Sequence, residues 1–361
     1  MPRRVMAVLR EQPLESLMPD LPKTMRALVL TAPGAPLELQ EVPVPTPGPG
    51  EVLVQIAASP INPSDLHFLE GEYGLNWPYP LIPGLEGSGE VVAAGPGLMG
   101  RYVMGKPVSC TADKQGCWAE YMVTQAALCL PLPHDLPLGT AAMAVVNPLT
   151  AVAFIQIAKA GGHKSLISTA AGGALGAMTR RMAAEAGIEV INVVRGPAQV
   201  ARLKAEGAAH ICDLSAPPFP ADLVTLGQAK KCRLALDAIG GEMTGQLVEA
   251  LAPKGEVLIY GALAGAASTL NPGTMIFKGI TVRGFWVSKW LEKRPLPQKM
   301  MIMRRIVAAL KSGAAQSQVA EIRDLADAAT APADYAARMS AGKILISTGA
   351  LPLGVEATPI T

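Results

Sequence analysis

At 361 residues the chain is too long for one ordinary core, so two domains are expected. Half of the residues are hydrophobic and 17% are charged, which excludes a globally disordered chain; 31 basic against 29 acidic residues leave a net charge of +2, which gives no bulk electrostatic case for a nucleic-acid partner. The five cysteines (Cys110, Cys117, Cys129, Cys212, Cys232) are odd in number and contain no CxxC pair, which argues against a disulfide framework and for reduced thiols in the cytoplasm or an organellar matrix.

The opening MPRRVMAVLR is basic and briefly apolar, but Glu11, Glu15 and Asp20 follow without a clear cleavage site, so residues 1–24 are read as an N-terminal extension. Short alternating apolar runs come next: Arg26–Leu30, Glu51–Ala57, Gly89–Ala94 and Ala119–Thr124. Bounded by Pro and Gly, they predict the strands of a compact barrel-like domain. Thr140–Ala158 is uncharged and nearly long enough to span a bilayer. Asn147-Pro148, Thr150 and Gln156 interrupt it, so it reads as buried core with a functional break, and no membrane partner is expected.

From about residue 148 strand-like runs alternate with helical patterns. Strands are expected at Lys164–Ser168, Glu189–Val194, Ala209–Cys212, Leu234–Asp237, Gly255–Gly261 and Ile344–Ser347. Helices are expected at Leu175–Ala186, Gln199–Glu206, Glu242–Leu251 and Gln298–Ser312. The β-α-β alternation predicts a parallel sheet with helices on both faces.

The first βα junction reads Ser168-Thr169-Ala170-Ala171-Gly172-Gly173-Ala174-Leu175-Gly176. Such a turn lets backbone N–H groups approach a pyrophosphate at a helix N-terminus. It is not a full GxGxxG, because Ala174 stands where a glycine is expected, and a Gly-rich turn that merely packs a helix on a sheet is the bland alternative. The next strand ends at Val194-Arg195-Gly196 without the carboxylate that takes a ribose 2′-hydroxyl in NAD sites. Arg195 offers a planar fork suited to a 2′-phosphate, so NADPH is the expected cofactor.

Several further segments stand in order along the chain: Asn62-Pro63-Ser64-Asp65, Gly71-Glu72-Tyr73-Gly74, Pro83-Gly84-Leu85-Glu86-Gly87, Val146-Asn147-Pro148-Leu149-Thr150-Ala151, Asn192-Val193-Val194-Arg195, Tyr260-Gly261, and Phe277-Lys278-Gly279 followed by Arg283-Gly284-Phe285-Trp286 and Trp290. Over roughly residues 25–350 they resemble the zinc-free medium-chain dehydrogenase/reductase superfamily, nearest to mitochondrial-type trans-2-enoyl-CoA/acyl-carrier-protein reductases and next to quinone oxidoreductases. The resemblance implies an α/β chain. A GroES-like, β-barrel-type catalytic domain would occupy 25–147, a Rossmann doubly wound parallel-sheet domain binding NADPH would occupy 148–297, and 298–361 would return to the catalytic domain.

Zinc alcohol dehydrogenases of the superfamily carry a cysteine near the position of Asn62 and a histidine at that of Leu85. A catalytic zinc needs three protein ligands. Those two are missing, and Cys110, Cys117 and His134 have no recognised ligand spacing, so no metal is expected. Reduction of an already polarised C=C bond needs no Lewis acid of this kind.

The resemblance maps the catalytic tyrosine onto Tyr73, a neutral donor for the enolate oxygen that develops when hydride reaches Cβ, and a proton source for Cα. It places Asn147 beside the nicotinamide or the substrate carbonyl and Thr150 at the cofactor phosphates or ribose. Ala170, Gly172–Gly176, Tyr260, Gly261 and Phe285 would line the cofactor, Lys343 would add charge near its phosphate, and Trp286, Trp77 and Phe68 would line the substrate pocket. Blander readings stand beside these: Tyr73 as a packing aromatic, Asn147 and Thr150 as helix caps, Phe285 and Trp290 as packing, Asp65 as a structural hydrogen-bonder, and Lys343, Lys289, Lys293 and Arg294 as solvated charge.

The implied activity is NADPH-dependent reduction of a small-molecule trans-2-enoyl thioester by a homodimer whose edge strands, near Gly279–Val287, pair across a two-fold. The turn Gly172-Gly173-Ala174 looks closer to the quinone-reductase form, and Trp77 and Tyr79 are bulky near the expected pocket. A quinone or a free enone or enal is therefore the alternative substrate, and a non-catalytic NADPH-binding sensor is the second alternative.

Overall fold

The computed structural model describes residues 21–133 and 135–358. The expected N-terminal extension lies outside the described residues up to position 20, as does His134. The chain forms two compact units. One takes residues up to Ala142 with Ile322–Pro332 and Leu345–Val355; the other takes Met143–Glu321, Ala333–Ile344 and the residues from Glu356.

The first unit is built from β1 (Thr24–Val29), β2 (Glu38–Pro43), β3 (Glu51–Pro60), β4 (Glu86–Ala94), β5 (Pro107–Thr111), β6 (Tyr121–Gln125) and β7 (Cys129–Pro131). β1 and β2 form an antiparallel pair. β3 is the spine of the larger antiparallel sheet, bonded to β4 and to β6. Its register with β4 shifts between Leu53 and Val54 and again between Ile56 and Ala58, bulges that bend the strand. Val52, Val54 and Ile56 alternate onto one face and meet Val91, Val103, Val108, Cys110, Cys117 and Met122 in a core. β2 was not expected from sequence: half of its residues Glu38-Leu-Gln-Glu-Val-Pro43 are polar and most are exposed, and only its pairing with β1 defines it.

The second unit holds β8 (Ser165–Ser168), β9 (Glu189–Val194), β10 (His210–Asp213), β11 (Leu234–Asp237), β12 (Glu256–Ile259) and β13 (Thr281–Gly284). They form a parallel sheet in the order β10-β9-β8-β11-β12-β13. The chain runs outward from β8 through β9 to β10, then resumes at β11 on the other side of β8. This reversal makes the doubly wound topology and leaves a crevice beyond the strand ends between β8 and β11. The strands β8 and β11 are fully buried, as a parallel sheet covered on both faces requires.

β14 (Val319–Asp324) and β15 (Lys343–Ser347) close the chain's strands, and β15 pairs antiparallel with β3 through Leu345, Ile346 and Ser347. The return to the first unit therefore begins at Ile322 rather than at 298. The helix Leu296–Lys311 belongs to the second unit: Ile302, Ile306 and Leu310, spaced by four, bury one face, and the helix packs on Val146–Ala160.

The apolar stretch Thr140–Ala158 resolves into the end of a short helix, Leu138–Ala141, and the helix Val146–Ala160. The break falls at 142–145, ahead of Asn147-Pro148 rather than on it. Pro148 sits in the first turn, where its missing N–H removes no helical bond. Among the described residues no helix is long and apolar enough to cross a membrane.

Candidate active site

At the C-terminal end of β8 the chain makes the Gly-rich turn and enters the helix Ala174–Glu185 with Gly173 as its N-cap. Ala170 adopts a positive φ of 48°, a left-handed conformation costly for a residue with a Cβ, and such strain persists only where neighbours over-determine it. The Ala171 amide donates to Val193 O on β9 at 3.1 Å, and the Gly173 amide donates to Ala170 O at 3.0 Å. From behind, Arg180 Nη1 donates to Ala171 O at 3.1 Å and Arg202 Nη2 donates to Gly172 O, while both arginines pair with Glu206. A Cβ on Gly176 would lie 2.6 Å from the Ala171 Cα, so that glycine sets how closely the helix meets the turn. The first-turn amides and the helix dipole fit a pyrophosphate, which satisfies backbone donors that have no intrahelical partner.

β8 and β11, the two central strands, are tied together at their C-terminal ends. The Ala238 amide donates to Thr169 Oγ1 at 2.8 Å, and Asp237 Oδ1 accepts from the amides of Ile239 at 2.9 Å and Gly240 at 3.1 Å. Asp237 Oδ2 accepts from Thr244 Oγ1 at 2.7 Å. This buried carboxylate holds the loop that faces Gly261, where a Cβ would lie 2.6 Å from Ala238 O. Tyr260 and Phe285 flank Phe154, with ring centroids 4.9 and 5.2 Å away. Burial pushes the Tyr260 hydroxyl pKa up, and the Asp237 charge adds to the rise.

Arg195 is exposed at the end of β9. The next residue, Gly196, donates its amide to Asp213 Oδ1 on β10 at 2.8 Å. Gln199 and Arg202, three apart on the helix Pro197–Ala205, approach Gly172, since a Cβ there would meet Gln199 Oε1 and Arg202 Nη2. Sequence reasoning passed over Asp213, Gln199 and Arg202. The i,i+3 spacing after Pro197 at the helix start was the available signal for the last two.

Asn147 is half-buried in the first turn of Val146–Ala160, and Thr150 Oγ1 donates back to Val146 O at 2.7 Å. The helix N-cap position belongs to Val145, so neither residue caps it. Trp286 stands at the start of the helix Val287–Glu292, which packs on Val146–Ala160. Two of the three basic residues after it are engaged locally: Lys289 pairs with Glu292 at 2.8 Å, and the Arg294 guanidinium lies 3.8 Å from the Trp290 ring centroid. Lys343 is 2% exposed, with Nζ 3.4 Å from Tyr335 Oη, so it is not the free surface lysine that was one expectation for it.

In the first unit Tyr73 packs, half-buried, against a cluster of Leu30, Phe68, Trp77, Leu81 and Leu85. Phe68 and Trp77 meet edge-to-face at 5.0 Å, a pair that contributes about 0.5–1.5 kcal/mol beyond its buried area. Beneath them Asp65 accepts from the amides of Asn62 at 2.7 Å and Leu85 at 2.9 Å, and Asn62 Nδ2 donates to Glu86 Oε1 at 2.9 Å. Asp65 thus links the helix Pro63–Leu69 to the start of β4 as a structural hydrogen-bonder. Leu85 sits in an apolar cluster, and among the described residues no group of three or more His, Cys, Asp or Glu is placed to hold a metal ion.

A small antiparallel β unit joined to a doubly wound parallel unit with a phosphate-type turn defines the class of two-unit, dinucleotide-binding dehydrogenases and reductases. Residues 48–134 match the alcohol dehydrogenase GroES-like domain and residues 174–301 match the zinc-binding dehydrogenase family. The chain is 33% identical over 280 residues to the mitochondrial enoyl-[acyl-carrier-protein] reductase of Bos taurus, covering 74% of each chain, and 31% identical over 280 residues to that of Homo sapiens, also covering 74% of each. The crystal structure of a candidate NADPH:quinone reductase from Mesorhizobium loti superposes with a TM-score of 0.85 at 32% identity, covering 91% of this chain and 100% of that one. The chain belongs to the medium-chain dehydrogenase/reductase superfamily.

Proposed function

We propose that the chain is an NADPH-dependent reductase of a conjugated C=C bond, with a trans-2-enoyl thioester as substrate. The observation that carries this reading is the pairing of a phosphate-type turn with a basic, carboxylate-free β9 end, in a chain that is 33% identical to an enoyl-[acyl-carrier-protein] reductase. The amides at the start of Ala174–Glu185 hold the pyrophosphate, and Arg195 takes the 2′-phosphate. Tyr260, Gly261 and Phe285 line the cofactor, Thr150 contacts its phosphates or ribose, and Lys343 adds positive charge near its phosphate. Asn147 orients the carboxamide or the substrate carbonyl.

NADPH, when bound, supplies hydride to Cβ of the substrate. The Tyr73 hydroxyl donates a hydrogen bond to the carbonyl oxygen, where charge develops, and delivers a proton to Cα that it recovers from solvent. Phe68, Trp77 and Trp286 line the acyl pocket. A quinone or free enone is the second reading, favoured by the likeness to the Mesorhizobium loti protein. We also infer a homodimer in a reducing compartment, cytoplasm or organellar matrix.

The test is cofactor oxidation, followed by loss of nicotinamide absorbance, with a medium-chain trans-2-enoyl-CoA, a free enone, a quinone and a saturated thioester, each with NADPH and with NADH. Turnover of the enoyl thioester with NADPH supports the first reading. Turnover of the quinone or enone alone moves the assignment to the second. Tight NADPH binding without turnover of any acceptor favours a sensor.

A further inference from the structure

We infer that Asp213, which no cofactor rule points to, is a positioning residue for NADPH selectivity: it fixes the backbone on which Arg195 stands. The inference rests on the reading of Arg195 as the 2′-phosphate ligand.

The geometry is confined to the ends of two neighbouring parallel strands. β9 and β10 run in register, with Val194 opposite Asp213. The Leu214 amide donates to Val194 O at 2.9 Å, so β9 is anchored up to the residue before Arg195. The residue after Arg195 is anchored as well, because Gly196 donates its amide to Asp213 Oδ1 at 2.8 Å. The same oxygen accepts from the Ser215 amide at 3.0 Å and from Ser215 Oγ at 2.7 Å. One carboxylate oxygen therefore gathers three donors from two loops. The Ser215 hydroxyl, then the Gly196 and Ser215 amides, hold the Asp213 carboxyl below its ordinary pKa, so it stays ionised at neutral pH.

The clamp matters because the other bond to Gly196 ties it to the helix that follows: its carbonyl accepts from the Val200 amide at 3.2 Å, whereas the bond to Asp213 ties it to the sheet. Gly196 has φ 87° and is followed by Pro197, which begins the helix Pro197–Ala205 and has no amide to donate. Arg195 is itself exposed. Without the bond to Asp213, Arg195 would be tied to the sheet on its β9 side alone and on the other side only to the helix Pro197–Ala205, and the guanidinium would lose the fixed origin that a bidentate phosphate contact requires. In NAD-type sites a carboxylate at the end of the equivalent of β9 contacts the ribose directly. Here the carboxylate lies one strand over and is taken up by two backbone amides and the Ser215 hydroxyl, which leaves the β9 end to the arginine.

The full chain is titrated calorimetrically with 2′,5′-ADP and with 5′-AMP, probes that differ only in the 2′-phosphate. Wild type is expected to prefer 2′,5′-ADP by about tenfold or more, and Arg195→Ala to bring the ratio near unity. Asp213→Ala should lower the ratio about fivefold with 5′-AMP affinity within about twofold of wild type. Asp213→Asn, whose amide oxygen still accepts, should restore it. In an Arg195→Ala background Asp213→Ala should change the ratio no further. If Asp213→Ala does not fold, Asp213→Ser, too short to reach Gly196, takes its place. A ratio unchanged by Arg195→Ala overturns the reading of Arg195. A ratio that falls with Arg195→Ala but not with Asp213→Ala, equal loss of both probes, or an undiminished Asp213 effect without Arg195 overturns the inference alone.

Discussion

Gly176 packs against Ala171 so closely that a Cβ on the glycine would lie 2.6 Å from the Ala171 Cα and 2.7 Å from its carbonyl carbon. The contact is backbone against backbone, so no side chain can swing aside to relieve it. Gly176→Val should push the helix Ala174–Glu185 away from the turn and cost about 1–3 kcal/mol in unfolding free energy, as overpacking does. NADPH affinity should fall with it, because the same displacement moves the first-turn amides. Urea denaturation and cofactor titration read both effects; an unchanged urea midpoint with unchanged affinity would mean that the turn tolerates the extra volume.

Tyr73→Phe keeps the ring that packs on Phe68, Trp77 and Leu85 and removes only the hydroxyl. If that hydroxyl is the donor to the developing enolate, kcat should fall by about a hundredfold or more. The NADPH dissociation constant and the thermal midpoint should stay near wild type. A variant that turns over like wild type would make Tyr73 a packing aromatic and leave the proton source unassigned.

What was legible in the sequence followed from local rules. Five of the six parallel strands, the turn at Ala170–Gly176 and the basic residue at the end of β9 each sit inside one strand–turn–helix unit, where period and punctuation suffice, whereas β13 was expected only as the dimer edge that the resemblance implies. Asp213 and Asp237 were not legible as anchors, because the amides they accept belong to loops that become neighbours only once the strand order is set. The same limit applies to the helix Leu296–Lys311. Ile302, Ile306 and Leu310 announce a buried face, but nothing in their spacing says that Val146–Ala160 covers it, so the return of the chain was expected at 298 instead of 322. Lys343 reads as a surface charge in isolation and is buried beside Tyr335 in the fold.

The thiols supply a prediction with a definite sign. All five cysteines are free and buried. The side-chain hydrogen bond with Cys117, then burial, pushes the Cys110 thiol well up; burial pushes up Cys129 and Cys232, and takes Cys212 to about 12. A thiol pKa raised in the folded state favours the neutral form there. Its stabilisation is complete below the unfolded pKa of about 8.5 and is lost as pH rises through and beyond it, because only the unfolded chain ionises. The urea midpoint should therefore drop between about pH 8 and pH 10, and less so in Cys212→Ala. The native protein at pH 8 should resist iodoacetamide while the unfolded chain is alkylated at all five thiols. Rapid alkylation of the native chain, or a drop unaltered in Cys212→Ala, would contradict the burial argument.

β13 forms one edge of the parallel sheet, and the helix Pro272–Lys278 that leads into it exposes Ile276 at 72% and Phe277 at 90%. An open strand edge beside two exposed apolar side chains is a surface that soluble chains usually cover. A second copy related by a two-fold would pair β13 with its own counterpart, continuing the sheet and burying both residues. Multi-angle light scattering should then give a dimer for the wild type, and Phe277→Asp should shift it toward monomer by placing two carboxylates at the contact. Because Phe277 is exposed in the single chain, the substitution should leave the monomer's fold intact, so near-wild-type circular dichroism is expected alongside the change in mass. A wild-type chain that remains monomeric at tens of micromolar, or a Phe277→Asp variant that stays dimeric, would place the contact elsewhere or remove it.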